Sequence, residues 1–550
     1  MNSCQHAFED NAASRIHSNS LIGINIMGDV KVLPHPAVEE ASTHNAEDTT
    51  NNEPPTIPTW RLTLLIISLC IGLFLSLLDT SIVATALYSI SIDFNATRSS
   101  TWVALSYTLT YLGFAVPFAN LSDVIGRKHA WLLAFILFFS FSLACGFAKT
   151  LDQLVGFRAV QGVGGSGLYS LTMILLPEIV EERKKKWIGA VAGLVVAVAG
   201  VMGPVVGGVV TRYTTWRWVF WINGPIGVIA AILFLLTWPG EDMMKHPPRR
   251  SWKRLDFLGS FLLIAASVLV VFAFQQAGLT PNSWTKAIFL APLLIGLLCW
   301  SLLFIWELFA STHSISTILP PRLLKRRIYT SAVIVTTLTG FANFIAIYSL
   351  PLHFQIVNGT SSLTAGVALL PMLASAAVGS ILGGLTASHS FPALAIASAL
   401  MALGSGLLST LSVHHGVQAK TYGFEVLLGL GLGLSISSST LVAATNCERG
   451  DHAVAQGIVA QARVLGGSIG IAASSAILGV MSTRKTTLGQ VVDERVAYAD
   501  AFCKTMWVSA VVACVALIFS VGTYNKAEKK QEVEEEAVTE GHEDGSEKTV

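Results

Sequence analysis

Between residues 60 and 525 the chain repeats one pattern: apolar runs of about twenty residues, separated by short polar stretches. A run of that length crosses a hydrocarbon core of about 30 Å as an α-helix rising about 1.5 Å per residue. Fourteen such helices are predicted, near 62–88, 101–121, 129–148, 151–176, 187–211, 216–238, 256–276, 286–307, 329–350, 363–387, 391–412, 418–444, 452–480 and 503–524. The flanks differ in kind. Residues 1–60 are polar and lack a short apolar core followed by a small-residue cleavage site, so they read as a disordered cytosolic tail rather than a signal peptide. Residues 525–550 read as an acidic tail.

Composition strengthens this picture. Of 550 residues, 52% are hydrophobic and only 13% charged, and mean hydropathy is +0.61, whereas soluble domains carry about 25% charge. The fold class is an all-α polytopic membrane protein. A net charge of +1 gives no basic field for a nucleic-acid partner. Cys70, Cys145, Cys299 and Cys514 lie inside apolar runs and no CxxC pair occurs, so the cysteines read as small core residues.

An even number of spans puts both termini on one side of the bilayer, and basic residues in the short loops choose the side. Arg127 and Lys128, Arg183 to Lys186, the Lys245 to Arg254 cluster, Arg322 with Lys325 to Arg327, and Lys526 with Lys529 and Lys530 share the face of the N-terminus. That face is predicted to be cytosolic. The basic residues of the outer 481–502 loop run against the rule. The sequons at Asn95 and Asn358 fall on the outer face, as glycosylation would require.

Gly156-Phe157-Arg158 with Gly162 and Gly164 recurs 267 residues later as Gly423-Phe424-Glu425 with Gly429 and Gly431. Both copies open an even-numbered span that enters from outside, so the repeat is parallel. The offset is eight spans rather than six, which implies two helices inserted between two six-helix bundles. The predicted divisions are a bundle over 61–238, a linker with two inserted spans over 239–328, and a second bundle over 329–524.

Charges inside the spans point to chemistry, since each costs about 2.5–3.5 kcal/mol to insert. Asp79 in Leu78-Asp79-Thr80-Ser81 lies roughly 14 Å from the outer end of span 1, and Arg158 roughly 12 Å from that of span 4, at about 1.5 Å per residue. At equal depth they are expected to pair across the bundle interior. A carboxylate's hold on a proton depends on whether a guanidinium sits beside it, so any movement that parts them makes a proton switch. Arg463, near mid-membrane in span 13, needs a partner or a watery cavity. Glu425 stands where the repeat would put an arginine and is expected to be a second titratable site near the outer mouth.

Further motifs surround these charges. In Leu121-Ser122-Asp123-Val124-Ile125-Gly126-Arg127-Lys128, Gly126 permits a tight turn, Asp123 can stabilise a helix N-terminus, and Arg127 and Lys128 stay at the cytosolic surface. In span 5, Gly193, Gly200, Gly203, Gly207 and Gly208 permit close helix packing and Pro204 bends the helix. Trp216 to Pro225 combines an interfacial aromatic belt with Asn223, and Leu350 to Gln355 carries His353 and Gln355.

Taken in order, these motifs resemble the major facilitator superfamily, in particular its fourteen-span drug:proton antiporters of the fungal toxin and multidrug efflux type. The resemblance covers about 60 to 525. Asn120 stands where the family pattern of the loop after span 2 begins with glycine. The resemblance implies roles in proton coupling for Asp79 and Arg158, a conformational latch at Asp123, Gly126, Arg127 and Lys128, and an exporter-type Gly/Pro motif in span 5.

No HExxH, Walker loop, GxSxG or zinc-ligand spacing occurs, so no enzyme chemistry or cofactor is indicated. Without a nucleotide-binding loop an ion gradient must supply the energy; protons are favoured, with sodium as an alternative. The expected protein is a monomeric exporter in the cell membrane, working by alternating access. Its substrate would be a medium-sized, fairly apolar toxin, drug or secondary metabolite, in a cavity lined by Asn223, Asn343, Gln355 and Arg463. A vacuolar transporter of basic amino acids, a siderophore transporter and a transport-inactive sensor are the competing readings.

Overall fold

The computed structural model of the protein describes residues 58–96, 99–180, 185–239, 256–277, 283–313, 317–385, 390–413, 416–447, 452–487 and 494–524. Residues 1–57 of the expected N-terminal tail, the whole C-terminal tail and the Lys245 to Arg254 cluster lie outside the described residues; Thr59 and Trp60, expected in the tail, already belong to the first helix. Among the described residues, fourteen helices are long and apolar enough to cross a membrane. They are α1 (Thr59–Asp93), α2 (Trp102–Ile125), α3 (Arg127–Gly146), α4 (Leu151–Ile179) and α5 (Lys185–Tyr213). α6 (Trp218–Thr237), α7 (Phe257–Ala277), α8 (Ala287–Thr312), α9 (Arg327–Ile356) and α10 (Ser362–Leu385) follow. α11 (Ser390–Leu408), α12 (Ala419–Thr445), α13 (His452–Thr487) and α14 (Glu494–Ser520) complete the set.

Proline places two breaks in these helices. α6 is interrupted at Ile222 and α10 at Leu369. Pro225 and Pro371 follow, each lacking the N–H that would bond four residues back. The expected 481–502 outer loop is shorter than predicted, because α13 continues to Thr487 and α14 resumes at Glu494. Charged residues there prolong the helices past their apolar core, where hydropathy is a poor guide to helix ends.

The helices assemble as two six-helix bundles, α1–α6 and α9–α14, with α7 and α8 as the additional pair. The repeat seen in the sequence is repeated in the packing. A Cβ on Gly162 of α4 would stand 2.5 Å from the Tyr107 carbonyl of α2, and one on Gly164 2.7 Å from the Ala134 carbonyl of α3. On α12, a Cβ on Gly429 would strike the Met372 carbonyl of α10, and one on Gly431 would stand 2.6 Å from the Ala397 carbonyl of α11. Corresponding glycines admit corresponding helices. Without a hydrophobic drive between helices in lipid, such close backbone approach is what holds them together.

α7 lies against α2 of one bundle and α13 of the other. Gly113 of α2 admits the Ile264 side chain, and Gln275 donates to Ser475 of α13 at 3.1 Å. α8 packs on α7, and only 17% of its apolar stretch is buried. Trp306 and the Gly259 amide both donate to Asp256 at 2.7 Å, fixing the pair at the end where α7 begins.

We call the side on which α1 begins proximal and the opposite side distal. Among the described residues the hydrogen bonds that join the bundles run from the level of Gln461 and Leu112 to the distal rim. Gln461 donates to the Leu112 carbonyl at 3.1 Å, Ser468 to Thr108 at 3.1 Å, Tyr348 to the Thr80 carbonyl at 2.6 Å, and Gln355 to the Thr85 carbonyl at 3.3 Å. At the distal rim Ser362 donates to the Gly208 carbonyl at 3.3 Å. The two bundles are thus closed on each other distally.

Candidate functional site

The centre of the N-terminal bundle holds a buried polar cluster built by five helices. α1 supplies Asp79 from a face turned toward α4, and α4 supplies Arg158; both side chains are wholly buried and form a salt bridge. The second carboxylate oxygen accepts from Gln161 at 3.0 Å and Asn223 at 3.3 Å. Arg158 also donates to the Val103 carbonyl of α2 at 3.1 Å and to Gln161 at 2.8 Å. Asn223 donates in turn to Ser142 of α3 at 2.9 Å. Donors and acceptors therefore surround the ion pair and offset part of its desolvation, while Arg158 Nη2 is buried without a hydrogen-bond partner.

Aromatic rings complete the enclosure. The Arg158 guanidinium lies 4.1 Å from the centroid of Tyr107 and 5.5 Å from that of Phe220. Cation–π attraction of this kind strengthens once water is excluded. Tyr107 is held by donation to the Ser76 carbonyl at 3.0 Å, and Gly165 leaves room for its hydroxyl, which a Cβ would meet at 2.3 Å.

The loop between α2 and α3 forms a second polar site, at the proximal surface. Gly126 has φ +93°, a conformation side chains other than hydrogen rarely adopt. That turn brings Arg127 back onto Asp123 at 2.6 Å, onto Ser122, and across to both oxygens of Glu178 on α4 at 2.9 and 3.2 Å. Lys128 is half-buried and stands apart from these bonds. Glu178 carried no signal in the sequence, since it lies 51 residues from Arg127 and only folding brings them together.

The glycines of α5 divide between two neighbours. A Cβ on Gly203 would strike Ser81, and one on Gly207 would stand 2.5 Å from the Ile82 carbonyl, both on α1. Gly208 faces the Ser362 carbonyl of α10 at 2.6 Å, and the Pro204 carbonyl stands 2.3 Å from a Cβ on Gly366 of the same helix. Gly200 departs from the tight packing expected of it, with open space around it. It sits one turn proximal to Pro204, below the level at which α10 covers α5. The surroundings of Gly193 lie outside the described residues.

Two residues expected to line a cavity do not. Asn223 is 1% exposed and serves Asp79, and Gln355 is 6% exposed and ties the bundles together distally. Asn343 is buried with its carbonyl oxygen unpartnered. Arg463 is partly exposed at mid-membrane. Glu425 is wholly enclosed rather than placed at an open mouth, and neither carboxylate oxygen has a hydrogen-bond partner. His353 is buried beside Phe502, ring centroids 4.1 Å apart. Asn95 is exposed in a turn, whereas the Asn358 amide is enclosed and donates to the Gly416 carbonyl at 3.0 Å, so it is not presented for glycosylation.

Two helical bundles closed at one end, with an ion pair sequestered inside one of them, define a membrane carrier rather than an enzyme. The chain belongs to the Major Facilitator Superfamily, whose model matches residues 69–471. It is 35% identical to the MFS-type transporter FPY5 of Fusarium mangiferae over 76% of this chain and 72% of that protein. It is 32% identical to the efflux pump roqT of Penicillium rubens, covering 76% and 77%, and 28% identical to the efflux pump MFS1 of Trichophyton rubrum, covering 86% and 93%. Among solved structures, a bacterial homolog of the human lysosomal transporter Spinster, inward-facing and unoccupied, superposes with TM-score 0.59 at 16% identity, covering 85% of this chain and 98% of that one. A D-xylose–proton symporter gives 0.56 at 13% identity, covering 83% and 97%.

Proposed function

We propose that this transporter is a proton-coupled exporter of a medium-sized, mainly apolar toxin, drug or secondary metabolite, working by alternating access in the cell membrane with both termini cytosolic. Two relatives described as efflux pumps support the direction of transport. The observation that carries coupling is the position of Asp79 beside the seam between the bundles. Its neighbour Thr80 offers the carbonyl that Tyr348 of the C-terminal bundle binds when the distal side is closed. A change in the Asp79 cluster therefore acts on the backbone that holds the two bundles together.

In this reading the structure is the cytosol-facing state. Distal opening would break the bonds of Tyr348, Gln355 and Ser362, and closure of the proximal side would follow. The Asp123, Arg127 and Glu178 cluster serves as the proximal latch. Glu425, an unpartnered carboxyl enclosed in the other bundle, is the second protonation site.

The test is export of a toxin panel from pump-deficient yeast, with and without a proton uncoupler. Export should fail in the uncoupler and in Asp79→Asn and Arg158→Ala. Uncoupler-insensitive export, or unchanged export in both variants, would rule out proton antiport.

A further inference from the structure

The Asp79 cluster does not account for Arg463. Arg463 lies ten residues into the apolar stretch of α13, where a guanidinium is costly without a partner. Asp79 is taken by Arg158, Gln161 and Asn223, and Glu178 by Arg127. The titratable side chain near enough to act on Arg463 electrostatically is Tyr169 of α4, and among the described residues no carboxylate does so. Its Nη2 is buried without a hydrogen-bond partner. Among the described residues no side chain or carbonyl accepts from this Nη2.

The position is built, not incidental. Gly340 of α9 lets that helix approach the Arg463 backbone, where a Cβ would stand 2.3 Å from its carbonyl. Gln461 and Ser468 pin α13 to α2 on either side of it in sequence. From Tyr169 a row of rings leads back into the N-terminal bundle, Tyr169 to Tyr111 at 5.9 Å and Tyr111 to Tyr107 at 5.8 Å between centroids. The Tyr111 hydroxyl is also buried and unpartnered. Tyr169 and Val464 pack at the margin of the N-terminal core and are only partly buried.

Taking the export reading as its basis, we propose that Arg463 anchors an acidic group of the exported compound. The substrate is then an organic anion, a flat apolar body carrying a carboxylate or comparably acidic oxygen. The acid would take the guanidinium N–H groups, and the body would lie against the partly buried Tyr169 and Val464. A charged acceptor suits the site better than a neutral one, because the hydrogen bonds become charge-assisted and the buried cation is compensated at the same time.

Two dyes on one ring framework test this. Fluorescein carries a free carboxylate; rhodamine 123 is a cationic methyl ester of the same xanthene type. Binding to the purified full-length protein in detergent is read by fluorescence polarisation. Wild type should bind fluorescein at least about tenfold more tightly than rhodamine 123, and Arg463→Gln should lose about tenfold in fluorescein affinity, the scale of one lost charge-assisted hydrogen bond. Arg463→Lys should fall between, which a purely structural role would not produce. Absence of saturable fluorescein binding, equal affinity for both dyes, or an Arg463→Gln protein that elutes as wild type and binds fluorescein unchanged each overturns the proposal. Thermal stabilisation by chloride without fluorescein binding marks an inorganic-anion site and overturns it too. Where Arg463→Gln does not fold, the wild-type comparison and Arg463→Lys decide. Detergent binding requires no export, so failure of toxin export in cells would count against the efflux reading alone, and export of neutral compounds only, with no dye preference, against this one alone.

Discussion

At Asp79 both carboxylate oxygens are engaged from within one bundle, so the residue is most sensitive to loss of its donors. Arg158→Ala removes the counter-charge and leaves a buried carboxylate exposed to an apolar interior, a change of about 3–5 kcal/mol in comparable pairs. Gln161→Ala removes one uncharged donor to Asp79 and one acceptor for Arg158, about 1–3 kcal/mol. The expected order of thermal unfolding midpoints is wild type, then Gln161→Ala, then Arg158→Ala, by fluorescence scanning of the detergent-solubilised protein. A reversed order would mean the ion pair contributes less than its hydrogen-bonded frame. For Glu425→Gln the readout is export against external pH: the profile should change shape, and one superimposable on wild type would remove Glu425 from coupling. Equal depth made the pairing of Asp79 and Arg158 legible in the sequence. Gln161, one turn beyond Arg158 on the same face, was open to the same argument. Ser142, Tyr107 and Glu178 were not, because their roles depend on which helices become neighbours.

Between helices, glycine sets distance. Gly208 admits the Ser362 backbone and Gly366 admits that of Pro204, so α5 and α10 meet main chain to main chain at the distal rim. Gly208→Leu should hold that rim apart. Export should fall severalfold, while a cysteine placed at Ser362 becomes more reactive to a water-soluble maleimide added from outside. Unaltered reactivity would show that the rim closes without this contact. The Gly126 turn offers a milder perturbation: Gly126→Ala forces a side chain into a positive φ, at about 1 kcal/mol or more, and should slow export without changing dye binding. Hydropathy was enough to place all fourteen helices, and most of their ends to within a few residues. It could not place the ends of α13 and α14, where the helix outlasts the apolar stretch, or show that Gly200 lies clear of the packing its neighbours make.

For the whole molecule, the parallel repeat in the sequence already implied two related bundles, and the matched glycine contacts of α4 and α12 show why so few residues carried the signal: only positions of backbone contact must agree. Where the bundles separate was not legible, because no local pattern encodes which end of a carrier is shut. The inserted helices bear on a different matter, the route by which an apolar substrate of the proposed kind would arrive. Paired bundles have two flanks facing lipid, one between α2 and α13 and one between α5 and α10. α7 spans the first, with Ile264 seated on Gly113 and Gln275 fastened to Ser475, and α8 backs it. Among the described residues no inserted helix covers the other flank, so a substrate arriving from the leaflet is expected to enter beside α5 and α10, proximal to the rim contacts. A lipid-borne photoreactive analogue should mark those helices in preference to α2 and α13, and the composition of the surrounding bilayer becomes part of what the pump can capture.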